Sequence, residues 1–424
     1  MIVPGAARAI VHKPARPWFA GLCTLGPMAR EYFVNADFDL SLRRGRSPSP
    51  AGARNRQTEE VAFHLLQLGV DGDSVVVTLP PDLDFLSYLR KCGIPRPETS
   101  VRPSIRRESS FTPFGWNQQA ADLNRRYATP SDHPPLDAVR RVNGRCFAAS
   151  VERELVGGDG ATRKLASVEA IEEWIAGHST TENGWIIKSE HGNSGLGNRR
   201  LSTPEPSEAD RKVIRRLLSE DECVLIEPFR TRVLDLSSVF EVDAAGRAQG
   251  LHLHEVVNTA DGAFIGGLYE PESPTVEPWR EDMVRAADLV AQRLAEAGYF
   301  GPVCLDSFVW DDGSRLRLRP VVDINARLHM SAAAFALWRA WGRERVVFWR
   351  LFSSRKLRIP RDYDQFVRVL GDGAFKPNER RGTLLTSPFE MAGRRLLRVG
   401  VLFAGASREE VEGLESRFRG LFEK

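Results

Sequence analysis

Residues 184–200 read GWIIKSEHGNSGLGNRR, an apolar run that ends at Lys188 and opens into a turn carrying Gly192, Gly195 and Gly197. The G-x-x-G-x-G spacing is not the G-x-G-x-x-G of a dinucleotide loop. A Walker loop is excluded too, because there the lysine follows the glycines and a helix starts at once; here the lysine comes first, and Pro204 and Pro206 block a helix behind it. What remains is a strand, a glycine turn over 189–198 and a second short strand, able to fold over a triphosphate and offer it backbone N–H groups. The competing reading is a plain glycine hairpin with one exposed lysine. Lys188 favours the first reading, since the chain holds eight lysines against 51 arginines and spends one of them at the end of an apolar strand. A compact ammonium suits phosphate oxygens.

Downstream, 207–220 opens with a Ser-x-x-Asp capping box and sets Val213, Ile214, Leu217 and Leu218 on one side, which predicts a helix. Strands are expected at 223–227, 234–242 and 248–257, then a helix with Met283, Ala287, Val290, Leu294 and Ala297 at helical spacing, ending at Gly298. Two further strands, 303–310 and 315–325, are expected to pair across Asp311, Asp312 and Gly313. Alternation puts Asp323 and Asn325 on one face, and oxygen ligands beside ATP phosphates suit magnesium. With Asp312 and Gly313 as the turn residues, Asp306 pairs with Arg319, and a regular ladder holds Asp306 and Asp323 about 13 Å apart. Pro320 cannot donate to that ladder and predicts a bulge or bend. The alternative for this cluster is a solvated strand face. His252 and His254 share a face and are read as structural histidines, and Cys304 as a core residue.

Upstream, a helix from Thr58 carries Val61, Leu65 and Leu68, a strand follows at 74–79, and Asp82 caps a second helix that reaches Cys92, an α/β unit. The Arg-, Pro- and Ser-rich stretch 43–56 reads as a surface loop, and 131–135 as a linker. Helices are expected over 143–155 and 168–176 on either side of a glycine turn at 157–160; after Ser331 the pattern is helical, with a strand at 396–403 and a last helix from Ser407. The 424 residues suffice for two to four domains. With 42% hydrophobic and 27% charged residues the chain is an ordinary globular one, and a net charge of +3 without long single-sign blocks gives no support for general nucleic-acid binding. The longest apolar run, 332–338, is too short to cross a bilayer, and His12, Lys13 and Arg16 interrupt any export signal, so a cytoplasmic enzyme is expected. Cys23, Cys92, Cys146, Cys223 and Cys304 are more than fifty residues apart and form neither a zinc-type pair nor a disulfide framework in sequence.

Taken together, Lys188 with its glycine loop, Val224-Leu-Ile-Glu227-Pro and Asp323-Ile-Asn325-Ala-Arg327 resemble the ATP-grasp superfamily in order and spacing. The resemblance covers 143–330. It implies a mixed α/β and α+β chain: a pre-ATP-grasp-like α/β domain at 1–142, a first ATP-grasp subdomain with the glycine loop at 143–220, a second with the metal site at 221–330, and a helical extension at 331–424. It also implies an ADP-forming carboxylate–amine ligase that works through an acyl phosphate. ATP and Mg²⁺ would be its cofactors and a small carboxylate and amine its partners, with a homodimer left open and neither membrane nor nucleic acid involved. Carried over by position, Lys188 contacts the α and β phosphates, Glu227 lies at the adenine hinge and Asp235 meets the ribose. Asp323 and Asn325 hold magnesium with Asp306 as a further ligand, and Arg327 faces the reacting groups. Arg145 stands where the family often has its first phosphate-binding lysine. An ATP-grasp phosphotransferase and an inactive ATP-binding regulator are the alternatives.

Overall fold

The computed structural model describes residues 29–44 and 56–424, apart from 71, 78, 96, 105–108, 128–129, 158–161, 179–182, 194–195, 202–204, 260–261 and 392. Most of the surface loop expected at 43–56 lies outside the described residues. Three larger sheets organise the rest, beside a two-stranded ribbon of Glu390–Met391 and Arg394–Arg395. The first is wholly parallel, in the order Glu98–Ser100, Ser74–Val76, Ala29–Phe33, Ser109–Pro113. Parallel neighbours need crossovers, and the helix Leu83–Lys91 supplies one, its start fixed by Asp82, whose side chain accepts from the Asp84 N–H.

The second sheet is small and antiparallel: Arg163–Leu165, Val224–Pro228, Trp185–Asn193, Leu196–Leu201. The helices Val168–Ala176 and Glu208–Glu220 pack on it, the latter opened by the Ser207–Asp210 capping box that the sequence predicts. Ile171, Ile175, Ile187, Ile214, Leu217 and Ile226 are fully buried between them and form a core of their own. The strand that begins at Trp185 runs on to Asn193, well past Lys188, so the expected glycine loop is mostly a hairpin.

The third sheet has eight strands, every neighbour antiparallel, in the order Leu316–Asn325, Gly301–Asp311, Arg232–Val242, Ala248–Asn258, Phe264–Tyr269, Val346–Ser353, Arg398–Gly405, Gly382–Leu385. Its last three strands come from 331–424. That stretch does contain helices, Ala332–Ala340, Tyr363–Leu370 and Arg408–Phe422, yet it also extends the sheet by three strands, of which the sequence predicts only the one at Arg398–Gly405. The strand Val346–Ser353 is buried on both faces, so it carries no polar stripe to mark it as a strand. Phe264–Tyr269 also escapes a sequence reading, because Gly266 and Gly267 interrupt it. Gly266 is required there by close approach: a Cβ would strike the Trp349 carbonyl oxygen of the adjoining strand.

One main apolar core joins Phe38, Phe63 and Phe85 near the chain's start to Trp338, Trp349 and Phe418 near its end. Buried Glu60 seals this junction by accepting from the Leu397 N–H at 2.7 and 2.6 Å and from the Arg398 N–H at 3.3 Å, and the Leu385 N–H donates to the Tyr88 hydroxyl at 3.0 Å. Among the described residues no helix is long and apolar enough to cross a membrane.

Candidate active site

The small sheet and the eight-stranded sheet face each other across a cleft. From the small sheet Lys188, Gly192 and Asn198 line it; from the large one come Asp235, Ser237, Asp306, Asp323 and Asn325, with Arg145 at one end and Arg327 at the other. Gly197 lies in the strand Leu196–Leu201, and Gly195 lies outside the described residues.

The register of the two aspartate strands corrects the sequence expectation. The hairpin closes one pair earlier than expected, at Asp311 opposite Leu316, and its ladder then slips by two more residues between Asp306 and Phe308. Phe308 therefore pairs with Arg319, and Asp306 lies directly opposite Asp323. The slip sits at Pro320, where a ladder donor is missing, and the Ser307 hydroxyl pins it by donating to the Pro320 carbonyl at 2.7 Å. Two carboxylates expected far apart thus become cross-strand neighbours.

Their surroundings favour a cation. Burial first, and then the Asp323 charge, push the Asp306 carboxyl up to about 7, with Arg327 acting against them. Asn325 Nδ2 donates to Asp306 Oδ2 at 3.0 Å, and Arg145 reaches Asp323 at 3.4 Å. Two facing carboxylates and an amide are a donor set that fits Mg²⁺, which takes one or two carboxylates beside phosphate oxygens.

Lys188 is not a loop-edge ammonium. It is buried and ion-paired with Glu227, which also meets Arg319 at 2.9 Å and accepts from the Thr162 hydroxyl at 3.0 Å. Arg319 in turn holds Glu152 by two bonds of 2.6 and 2.7 Å. Burial lowers the Lys188 pKa, with Glu227 opposing; burial works to raise that of Glu227, and the charges of Arg319 and Lys188 override it and hold the carboxyl well below the usual range. The Glu227 side chain is therefore committed to cations. Asp235 lines the cleft, bonded to Arg232 at 2.8 Å.

Arg327 is buried and gripped from the N-terminal unit. Its Nε and Nη2 donate to the two carboxylate oxygens of Asp39 at 2.9 Å each, Nη2 also reaches Asn325 Oδ1 at 2.9 Å, and the guanidinium lies over the Phe114 ring at 4.9 Å. The residue beyond Phe114 must be small, because a Cβ on Gly115 would come within 2.5 Å of the Phe38 ring, one residue before Asp39. Sequence reading found neither Asp39 nor Arg319 nor Glu152; each is an ordinary charged residue of a helix or strand, and only the fold brings it in. His254 also lines the cleft, with His329 and Ser331. Burial holds the His254 imidazole neutral, its pKa down to about 3. His252, on the same strand, stacks on Phe335 at 5.1 Å.

Cys92, Cys146, Cys223 and Cys304 are all free, yet one pair distant in sequence is close in space. Cys146 and Cys223, 77 residues apart, meet with their sulfurs 3.6 Å apart. Cys304 is buried, its thiol pKa raised chiefly by burial, as a core residue.

Whole-chain comparison finds the same architecture in solved structures. A biotin carboxylase domain dimer of the 2-oxoglutarate carboxylase from Hydrogenobacter thermophilus, in complex with MgADP, ADP and bicarbonate, superposes with a TM-score of 0.55 at 11% identity, over 94% of this chain and 91% of that one. Phosphoribosylamine–glycine ligase from Thermotoga maritima gives 0.55 at 13%, over 93% and 97%. The chain has the ATP-grasp fold. An ADP complex of N5-carboxyaminoimidazole ribonucleotide synthetase covers 97% of this chain and 98% of its own at a TM-score of 0.51 and 13% identity, so the ATP-grasp likeness extends over the N-terminal unit and the C-terminal strands alike. No family model matches the sequence, and no curated protein does.

Proposed function

We propose that the protein is an ADP-forming carboxylate–amine ligase that activates a small carboxylate as an acyl phosphate and joins it to an amine. The observation that carries this reading is the cleft itself: two cationic side chains, Lys188 and Arg145, across from the facing carboxylates of Asp306 and Asp323, with the clamped guanidinium of Arg327 beyond. The ADP-bound N5-carboxyaminoimidazole ribonucleotide synthetase, the MgADP-bound biotin carboxylase and the phosphoribosylamine–glycine ligase that share the fold support the class, and the first two support the use of ATP with Mg²⁺.

In this reading Lys188 and Arg145 bind nucleotide phosphates and offset their charge, and Asp306, Asp323 and Asn325 are the residues that would hold Mg²⁺. A bound magnesium ion would neutralise phosphate oxygens and make the γ phosphorus easier to attack. The protein then contributes positioning and charge, with no nucleophile of its own. Arg327, fixed in plane by Asp39, orients the substrate carboxylate, one oxygen of which attacks the γ phosphorus as ADP leaves. The amine displaces phosphate from the acyl phosphate and loses a proton. His254 is held neutral, so it can accept or donate one hydrogen bond to the acceptor without adding charge. The boundaries 1–142, 143–220, 221–330 and 331–424 and a cytoplasmic setting belong to the same proposal.

Incubation with ATP, Mg²⁺ and pooled small acids and amino acids, following ADP, AMP and new masses, tests it. Acceptor-dependent ADP release with an amide product is expected. A stable phosphorylated product would make the protein a phosphotransferase, and ATP binding without turnover a regulator.

A further inference from the structure

Behind the phosphate-facing wall, Cys146, Glu190 and Cys223 converge from three segments. Cys146 is in the first turn of the helix Arg145–Val156, Glu190 is on the strand Trp185–Asn193, and Cys223 immediately precedes the strand Val224–Pro228. One ligand atom from each lies within 4.8 Å of the others. The two sulfurs are 3.6 Å apart and Cys223 Sγ is 3.8 Å from Glu190 Oε2.

Those separations are the ones a tetrahedral ion imposes. Bonds of ~2.3 Å to sulfur and ~2.1 Å to carboxylate oxygen, opened to the tetrahedral angle, put two sulfurs about 3.8 Å apart and sulfur and oxygen about 3.6 Å apart. A disulfide would require the sulfurs to close to about 2.05 Å. The carboxylate is also oriented in advance: the Cys146 backbone N–H donates to Glu190 Oε2 at 3.2 Å, and Gly144 leaves the space that any Cβ there would take from Glu190 Oε1. Three groups that can each carry negative charge are thus packed together, with exposed Lys164 supplying one positive charge in their field. Cys223 is buried while Cys146 and Glu190 are partly open, which leaves a route in and a fourth position for water.

We propose that Cys146, Glu190 and Cys223 bind a thiophilic divalent cation, Zn²⁺ by preference, separate from the magnesium residues of the cleft. Two thiolates and one carboxylate select zinc over magnesium, which takes oxygen alone. Binding deprotonates both thiols, releasing two protons to solvent. The ion would tie together the segments that carry Arg145, Lys188 and Glu227, next to each of which it sits in sequence or in the sheet, and so hold the outer side of the phosphate wall.

Co²⁺ titration of the reduced full-length chain reads this out without any assay of activity. One equivalent should produce a sulfur-to-cobalt charge-transfer band and intense tetrahedral visible bands, both bleached by Zn²⁺. Cys223→Ser should abolish the band, Glu190→Gln should weaken Co²⁺ binding at least tenfold while keeping the band, and Cys92→Ala should leave both unchanged. Zn²⁺ should raise the melting temperature of the wild type and not that of Cys223→Ser. Cobalt bound without a thiolate band, or a band that survives Cys146→Ser and Cys223→Ser together, overturns the proposal. So does a protein that forms the Cys146–Cys223 disulfide in air and takes up no cobalt once reduced.

Discussion

At the scale of single residues, the surroundings of Lys188 and Arg327 change what substitutions there should do. Lys188→Ala removes the proposed phosphate counter-charge and also one partner of a buried carboxylate. Because Glu227 keeps Arg319, the loss of stability should be about 2 kcal/mol, below that of a buried pair broken outright. Urea unfolding measures the first effect and calorimetric titration with ATP the second, where at least a tenfold drop in affinity is expected; unchanged affinity would remove Lys188 from the phosphate site. Arg327→Lys should keep ATP and Mg²⁺ binding and lose about 100-fold in turnover, because an ammonium cannot make the two-pronged bond to Asp39 and the group shifts. Asp39→Asn should reproduce that pattern in kcat although it contributes no group to the reacting atoms, and a wild-type rate in Asp39→Asn would show that the clamp is dispensable.

At the scale of elements, the slipped ladder at Pro320 sets the residues proposed to hold magnesium. Ser307→Ala strips the buried Pro320 carbonyl of its donor, costing about 1–2 kcal/mol, and lets the register of Asp323 against Asp306 drift. The Mg²⁺ concentration needed for half-maximal turnover should rise, as it should in Asp323→Asn. A Ser307→Ala protein with normal magnesium dependence would mean that the bulge is held by other contacts. The sequence announced this bulge, since a proline inside a strand leaves a gap in the ladder that the backbone must bend around. It could not give the size of the bulge: the count of extra residues depends on how a four-residue turn closes and on a hydroxyl from the facing strand. Helix starts at Asp82 and Ser207 were legible because capping is local chemistry. The Phe264–Tyr269 strand was not, because its Gly266 is required only by Trp349, in a strand some 80 positions on. In the site, Lys188, Asp323 and Asn325 were readable as a motif, whereas Asp39, Arg319 and the Cys146–Cys223 pair owe their places to contacts between distant segments.

At the scale of the whole molecule, four histidines with lowered pKa values set the response to acid. His64 and His254 are held down to about 3 and His252 and His329 well below their ordinary value, in each case chiefly by burial. Unfolding frees each to take a proton near pH 6.5, so their contribution is complete above that pH. It is lost as pH falls below it, each by at most about 1.4 kcal/mol per pH unit. Asp306 and Glu241, pushed up to about 7 mainly by burial, act in the opposite sense and offset part of this. Stability from urea unfolding should therefore decline between pH 6.5 and 5, and His64→Gln should flatten the decline by about one proton; a curve that rises toward acid would contradict the neutral histidines.

The small sheet keeps a hydrophobic core apart from the one that unites the chain's two ends. Cooperativity follows the cores, so differential scanning calorimetry of the nucleotide-free protein should resolve two endotherms, a smaller, earlier one from the small sheet and its two helices and a larger one from everything else. In the proposed site ATP with Mg²⁺ would touch both bodies through Lys188 and Asp323, and a ligand shared in this way makes the stability of each depend on the other. On saturation the early endotherm should move up and merge with the late one, turning two melting units into one.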